Sequence, residues 1–503
     1  MWLNSRRACM RLVQGIGFCW LLLAGAPLAG CREPVAPGAK PPEQTVAPQP
    51  ITVDSASRPN VILIVADALR ADRVFGKRGD IALMPNLSQF AQESWNYAHA
   101  TSQASWTKPS VASYLTALYP GVHRTLFGVH VQLLPNDPVE ADALPREFET
   151  MPKYLKSQGY ATACLQTNAN VSGAFGFAEG FDAYFFKGYP ECRANQVTDK
   201  AIETMDAMKR PFFYYIHYMD THLPYDPPAQ RLDSFGPLPA LEPSDENILN
   251  DYESAYMDWV LNAIGKKHAR EFGELSEGGK ERIRMKYDAE VQFLDAELGR
   301  LLAHIRLQHP NTIVIVTADH GEELWEHGGM GHGRTVYEEL VHVPLIIAQP
   351  GASARVVEAP VELIDLLPSL AGILGTPPRD GWQGIDILSH PDALPMDRPT
   401  FSMTMSSMRR STINLQSVTI RPYKLVRDLH AQTFRVYDLQ RDPGELSPLT
   451  SPDAALLARL ETASQKLRER NAAHPSIQTP AAAQTVDPET IRQLEALGYK
   501  PRQ

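Results

Sequence analysis

The feature that most limits the fold is a set of near-continuous apolar runs: NVILIVAD at 60–67, YATACLQT at 160–167, PFFYYIHYMD at 211–220, NTIVIVTADH at 311–320 and VPLIIAQP at 343–350. A strand with one wet face alternates apolar and polar side chains. These runs do not alternate, so both of their faces must be covered. Helical patterns lie between them. The clearest, from about 281 to 306, places Ile283, Tyr287, Val291, Leu294, Leu298, Leu301 and Ile305 three or four residues apart, which lays one apolar stripe along a helix. Strands alternating with helices predict an α/β fold, a large and mostly parallel sheet sandwiched by helices. In such sheets ligands gather beyond the carboxyl ends of the strands. Here those ends carry Asp67, Thr167, Asn168, Asp220, Asp319 and His320. A strand buried for packing alone has no need of a terminal carboxylate, so the sequence points to a site at that rim.

Ahead of the first strand the chain has a different character. Arg6, Arg7 and Arg11 precede an apolar run, Ile16 to Ala29, interrupted by Pro27. It is short for a membrane span and has the order of an export signal over 1–30. The run ends in LAGC, which resembles the lipobox of bacterial lipoproteins. That resemblance implies cleavage before Cys31, lipidation of Cys31, and an exported protein anchored at the cell envelope, on a periplasmic or outer surface. Residues 31–58, including REPVAPGAKPPEQTVAPQP, read as an extended Pro-rich tether. The main domain is expected over 59–390. Beyond it, SVTIRPYKLVRD and AQTFRVYDL alternate and predict antiparallel strands. SPDAALLARLETASQKLRERN predicts an amphipathic helix capped by Ser451, and HPSIQTPAAAQTVDPE a surface linker to a last short helix. Residues 391–503 therefore read as a small α+β subdomain. The formal charge of −10 argues against a nucleic-acid partner, which would need a basic face. An anionic substrate would have to meet a local positive centre such as a metal ion. Cys164 and Cys192 are the cysteines left outside the signal and lipobox; export permits a disulfide between them, and two buried thiols fit equally.

Two segments carry the material for chemistry. In QASWTKPSVASYLTALYP (103–120) a Trp-Thr-Lys-Pro loop runs into a helical pattern, with Pro109 suited to the first turn. Thr107 is expected just before that helix, with its hydroxyl near the positive end of the helix dipole, where free N–H groups favour an anion. It is either a helix cap or a nucleophile. In VTADHGEELWEHGGMGHG (316–333), Asp319 and His320 are adjacent at a strand end and can grip one cation from two directions. Asp67 supplies a third ligand and the Thr107 oxygen a fourth, which would lower the hydroxyl's pKa. An oxygen-rich set with one imidazole suits a single divalent ion: Mn²⁺, Zn²⁺ or Ca²⁺. Glu322, Glu323 and His327 are further ligands or solvated helix residues. In HYMDTHLPYDPP (217–228), His222 follows Asp220 in a Pro-rich loop at the same rim, as a candidate acid or anion contact.

Together these segments resemble the sulfatase family of the alkaline phosphatase superfamily, over about 58–499. RPNVILIVADALRAD resembles its first strand with the metal-binding Asp. TKPSVASYLTALYP resembles its nucleophile signature, C/S-x-P-S-R and a helix. TADHGEELWEHGGMGHG resembles its second metal segment, and HYMDTHLPYDPP its substrate-loop His. KYDAEVQFLDAELGRLL, RVYDLQRDPGEL and the terminal LEALGY resemble further family segments. The resemblance implies that Asp67, Asp319 and His320 bind metal, that Thr107 is the nucleophile, that His222 binds substrate or protonates the leaving group, and that His332 contacts the ester oxygens. It implies a sulfated or phosphorylated small molecule or glycan as substrate. Asn168 and Asn170 fall where relatives carry Lys and His. Thr107 replaces the Cys or Ser that becomes formylglycine; it has one oxygen rather than two, as in phosphodiesterase and phosphoethanolamine-transferase relatives. Val111 replaces the signature Arg, and Lys108 is the nearby cation that would substitute for it. A sulfate-, phosphate- or phosphonate-ester hydrolase is the expectation. The alternatives are a transferase acting on a lipid or glycan and a non-catalytic glycan-binding lipoprotein.

Overall fold

The apolar runs form the middle of one eight-stranded sheet in the computed structural model, which describes residues 58–128, 140–188, 191–250, 275–408, 411–479 and 481–496. The expected export signal, Cys31 and the tether up to residue 57 lie outside the described residues. In chain order the strands are β1 (Asn60–Ala66), β2 (Trp95–Tyr97), β3 (Ala161–Gln166), β4 (Ala183–Phe186), β5 (Phe212–Tyr218), β6 (Thr312–Thr317), β7 (Leu345–Ala348) and β8 (Arg355–Val357). Their spatial order is β8-β2-β7-β6-β1-β5-β3-β4. The run β6-β1-β5-β3-β4 is wholly parallel. β7 runs against both of its neighbours. β1 sits at the centre with every residue buried, as its unbroken apolar run requires.

Three helices matter for the site. α1 (Thr107–Thr116) is buried along its whole length. α2 (Ala194–Ala207) and α3 (Glu277–Gln308) lie beside one another on the sheet. α3 begins four residues earlier and ends two later than the periodicity suggests, because Ser276 caps it by accepting from Gly279 N. Trp106, not Thr107, is the N-cap of α1, and no side-chain cap hydrogen bond is present there. The cap alternative for Thr107 is thereby removed: Thr107 is the first helical residue. Among the described residues no helix is long and apolar enough to cross a membrane.

The C-terminal part is an antiparallel sheet of four strands, Thr400–Met408, Ser411–Ile420, Tyr423–Asp428 and Thr433–Asp438. Helix α4 (Ala454–Ala472) packs on it through Leu460 and Ala463 against Val418, Ile420, Leu425 and Val436. Asp453 caps α4 through two backbone N–H groups, which corrects the expected cap at Ser451. The expected linker also contains a strand, Ala482–Thr485, paired with Glu140–Ala143. All described residues belong to one compact unit. The C-terminal sheet reaches the main domain near the site: Met403 N donates to Gln103 O at 3.0 Å and Thr404 Oγ1 to Gly333 O at 2.8 Å. Cys164 and Cys192 are free buried thiols.

Candidate active site

The carboxyl ends of β1 and β6 and the start of α1 meet at one point. Asp67, Thr107, Asp319 and His320 are all fully buried there. Thr107 Oγ1 lies 3.4 Å from Asp67 Oδ2 and 3.3 Å from His320 Nε2. His320 Nε2 is 3.4 Å from Asp67 Oδ1 and 3.6 Å from Asp319 Oδ2. Residues that the sequence separates by up to 253 positions are brought into one shell by three strand or helix ends.

Each of the three metal-type residues is pinned on one atom and bare on the other. Asp67 Oδ2 accepts from Asn168 Nδ2 at 2.6 Å and from His217 Nε2 at 3.0 Å, while Oδ1 has no hydrogen-bond donor. Asp319 Oδ1 accepts from the backbone N–H of Ala68 and His320, while Oδ2 has none. His320 donates Nδ1–H to the Gly321 carbonyl at 2.8 Å, which leaves the Nε2 lone pair facing the carboxylates. Two bare buried carboxylate oxygens are costly unless a cation meets them. Separations of 3.3–3.6 Å about His320 Nε2 match the spacing of about 3.3 Å between ligands that share one ion at 2.0–2.1 Å. The residues present therefore fit a divalent ion held by Asp67, Asp319, His320 and Thr107. Burial and the neighbouring Asp67 charge push the Asp319 carboxyl well above its ordinary range. Burial opposes ionisation of Asp67 too, but the His217 hydrogen bond and the surrounding imidazoles hold its carboxyl below that range.

The backbone beneath this shell is fixed by small residues. Ser102 Oγ and Ser110 Oγ both donate to the Asp319 carbonyl, at 2.6 and 2.7 Å. Ser110 is the Ser of the nucleophile signature, and its hydroxyl ties α1 to the end of β6. Gly321 follows His320 where a Cβ would lie 1.9 Å from the Glu339 carbonyl oxygen, so only glycine fits that approach.

Beside the shell stand two further imidazoles and a carboxyl. The rings of His320 and His332 are 4.4 Å apart, those of His332 and His222 4.8 Å. His222 Nδ1 donates to the Leu223 carbonyl at 2.5 Å. His332 Nδ1 is 2.9 Å from Glu322 Oε1, and Tyr225 OH donates to Glu322 Oε2 at 2.9 Å. Burial pushes His320 down to about 3 and His332 to about 4, and lowers His222 as well. Burial also raises the Glu322 carboxyl to about 7. Glu322 is thus part of the site, and the solvated-helix alternative is overturned for all three residues of its group. Glu323 is buried in a two-strand hairpin (Glu323–Leu324 with Met330–Gly331). His327 stacks on Tyr337 and bonds Glu339. Neither Glu323 nor His327 reaches the metal-type shell.

Two expectations for cations change. Lys108 is fully buried, but its Nζ donates to the Asp142 carbonyl at 3.0 Å and lies 3.7 Å over the Phe175 ring. Burial pushes it down to about 7. As the residue after Thr107 it projects to another side of α1, so it does not stand in for the missing Arg. Val111, one helical turn on from Thr107, is buried in the apolar core. The group that does meet the Thr107 oxygen is Asn168, whose Nδ2 donates to it at 3.2 Å. Its Oδ1 accepts from Asn170 N and its N–H donates to Gln166 Oε1, both at 2.8 Å, which fixes the amide's orientation. Asn170 is buried with both amide atoms unpaired among the described residues. Asp220 is an ion-pair partner of Arg193.

Sequence reasoning passed over His217. It sits inside β5, where an apolar strand gives no reason to single out one ring. Tyr114 OH, Tyr215 OH and His217 Nδ1 form a chain at 2.8 and 2.7 Å that ends on Asp67 Oδ2. The signal available was a His three residues before Asp220, on the strand beside β1.

Sheet, helix and buried metal-type shell are those of an alkaline-phosphatase-like ester hydrolase. The chain belongs to the sulfatase family: the Sulfatase family model matches residues 59–376. It is 27% identical to human (Homo sapiens) iduronate 2-sulfatase over 402 residues, covering 64% of this chain and 70% of that protein. With arylsulfatase K of Gallus gallus it shares 24% identity over 479 residues, 86% and 84% of the two chains. Among solved structures it is similar in fold to a phosphonate monoester hydrolase from Silicibacter pomeroyi (TM-score 0.65, 23% identity, 85% of this chain and 99% of that one). It is also similar to a protein solved with its substrate D-glucosamine-2-N,6-O-disulfate (TM-score 0.66, 18% identity, 84% and 100%).

Proposed function

We propose that this chain is a metal-dependent hydrolase of singly charged tetrahedral esters, with Thr107 as nucleophile: sulfate monoesters, and phosphonate monoesters or phosphodiesters by the same route. The observation that carries this reading is the Thr107 oxygen, held at the start of α1 within 3.3–3.4 Å of His320 and Asp67. The bound ion would be held by Asp67 Oδ1, Asp319 Oδ2, His320 Nε2 and Thr107 Oγ1. When bound, it supplies positive charge that acidifies the Thr107 hydroxyl and offsets the negative charge of the transferring group.

The side chains do the rest. Asn168 donates to Thr107 Oγ1, so the hydroxyl proton must point elsewhere, and Asp67 Oδ2 faces it. That proton passes to Asp67 Oδ2, from which Thr107 recovers it when the ester is cleared, and it leaves an alkoxide that the Asn168 N–H still stabilises. Thr107 Oγ1 attacks sulfur or phosphorus as the bond to the leaving oxygen breaks. The departing oxygen takes a proton from the His222–His332 pair, with Glu322 as the group that resupplies His332. Water then attacks the Thr107 ester from the vacated side, giving its proton to the same imidazole, and Thr107 regains its own. One oxygen on Thr107 makes that second displacement necessary, since no second hydroxyl is there to expel the group.

Charge supports the substrate class. Beyond the carboxylates that would hold the ion, the groups placed near Thr107 are the Asn168 amide and imidazoles whose pKa burial lowers, while Lys108 faces Asp142 and Phe175. Such a site matches one negative charge better than the nearly two of a phosphate monoester at pH 7. Relatives and structural neighbours include sulfatases and phosphonate monoester hydrolases, in keeping with both branches. We further propose that the natural substrate is a sulfated or phosphorylated glycan or small molecule met at the cell envelope, where a lipid on Cys31 holds the enzyme. The test is a nitrophenyl panel of sulfate, phenylphosphonate, phosphodiester and phosphate with added Mn²⁺, Zn²⁺ or Ca²⁺. Thr107→Ala is expected to lose at least about a thousandfold on every substrate. Turnover within tenfold of the parent, or fastest cleavage of the phosphate monoester, would refute the reading.

A further inference from the structure

A second cluster lies at the opposite end of the sheet, beside the amino ends of β5 and β6. Asp206 is the penultimate residue of α2. His304 is about one turn from the end of α3, and His309 is its C-cap. One oxygen, Asp206 Oδ1, receives His304 Nε2 at 2.9 Å and His309 Nε2 at 2.8 Å. The two rings have centroids 5.8 Å apart. We propose that Asp206, His304 and His309 form a second metal site that takes a borderline transition ion such as Zn²⁺ and clamps the ends of α2 and α3.

Geometry and chemistry both favour it. Two imidazoles on one tetrahedral ion at 2.0–2.1 Å have ring centroids about 5.2 Å apart and ligand atoms about 3.3 Å apart. The ring separation and the two oxygen–nitrogen distances are each within about 0.6 Å of these values, all three ligand atoms lie within 4.8 Å of one another, and the Asp206 side chain is 48% exposed and able to swing. Two imidazoles and one carboxylate prefer zinc-class ions to Mg²⁺ or Ca²⁺. The last carbonyls of two helices, α2 and α3, lie beside the cluster, and their partial negative charge favours a cation. One group opposes the site. Arg210 Nη2 donates to His309 Nδ1 at 2.7 Å and to Gln308 O at 3.0 Å. That hydrogen bond holds the proton on His309 Nε2, the atom that must be bare to bind. Arg210 is exposed and has to leave Nδ1 when an ion enters, so it acts as a competitor for the site.

This yields a test that a simple hydrogen-bonded cluster would fail. The full chain carrying Asp67→Asn and Asp319→Asn, to disable the active-site shell, is dialysed against micromolar Zn²⁺ and its zinc content measured. One equivalent is expected. It is lost on adding His304→Gln or His309→Gln, and Arg210→Met tightens binding at least fivefold by freeing Nδ1. The same His variants on the parent background keep their hydrolytic rate but lose one zinc equivalent and the zinc-induced rise in melting temperature. Absence of bound zinc in the shell-disabled chain, or retention of the equivalent without His304 and His309, would overturn the proposal. Should the shell-disabled chain not fold, a Co²⁺ difference spectrum between the parent and His304→Gln decides by the presence or absence of a tetrahedral d–d band.

Discussion

Asn168 is the residue through which this site can be tested most sharply, because it holds the place where a cation is expected. Its Nδ2 makes two bonds, 2.6 Å to Asp67 Oδ2 and 3.2 Å to Thr107 Oγ1. A hydrogen bond to a charged acceptor contributes about 1.5–3 kcal/mol, and each 1.4 kcal/mol is tenfold in rate. Asn168→Ala is therefore expected to lower kcat/KM by about 10- to 150-fold at saturating metal, mostly in kcat, because the alkoxide forms only on the way to the transition state. A purely structural role predicts something else. Asn168 also caps the short turn that follows it through Oδ1 and Asn170 N, and Asn168→Asp preserves that cap. The Asp variant keeps that cap yet should lose more activity than Ala, and some melting temperature with it, since it sets a buried carboxylate against Asp67. Steady-state kinetics on the aryl phosphonate and sulfate, paired with thermal melts, read both. If Asn168→Ala stays within twofold of the parent, or Asn168→Asp outperforms it, the alkoxide-stabilising role is wrong.

Three further outcomes follow from the same geometry. Lys108, buried and lowered to about 7, binds its proton more weakly in the folded chain than in the unfolded one; stability should rise between pH 7 and about 10 and stay level below. Lys108→Met should flatten that rise in urea melts, while turnover stays within a few-fold because Nζ faces Asp142 and Phe175. Glu322, raised to about 7, must carry its proton to resupply His332, so kcat/KM on an alkyl ester should fall as pH rises through about 7. Glu322→Gln should remove that limb from the pH–rate profile, and an unchanged profile would exclude the relay. Gly321→Ala should cost at least about 1–3 kcal/mol, with weaker metal retention, since its Cβ would enter the Glu339 carbonyl; a melting temperature within a degree of the parent would show that the backbone there yields.

What could be read without coordinates follows a physical divide. The unbroken apolar runs had to become doubly covered strands, because hydrophobic burial and a strand's two-residue period act locally. Their polar ends marked the rim, so Asp67, Asp319, His320 and Thr107 were legible as a set. The strand Thr400–Met408 was not, since its alternation is blurred by Ser, Thr and Met, and its place depends on pairing with Ser411–Ile420. Side-chain partners were less legible still. His217 looked like one more residue of an apolar strand. Glu322 looked like one acid in an acidic segment until Tyr225 and His332 closed over it.

The sequence by itself determined the sheet, the rim and the residue types available there. Only the tertiary structure decided which polar side chain meets the nucleophile. Lys108 turned to Asp142 and Phe175, and the short amide of Asn168 took the contact. A backbone pattern is set by neighbours a few residues away, whereas the partner of a buried polar group is whatever distant chain happens to be packed against it, and desolvation makes that partner's identity decide its charge.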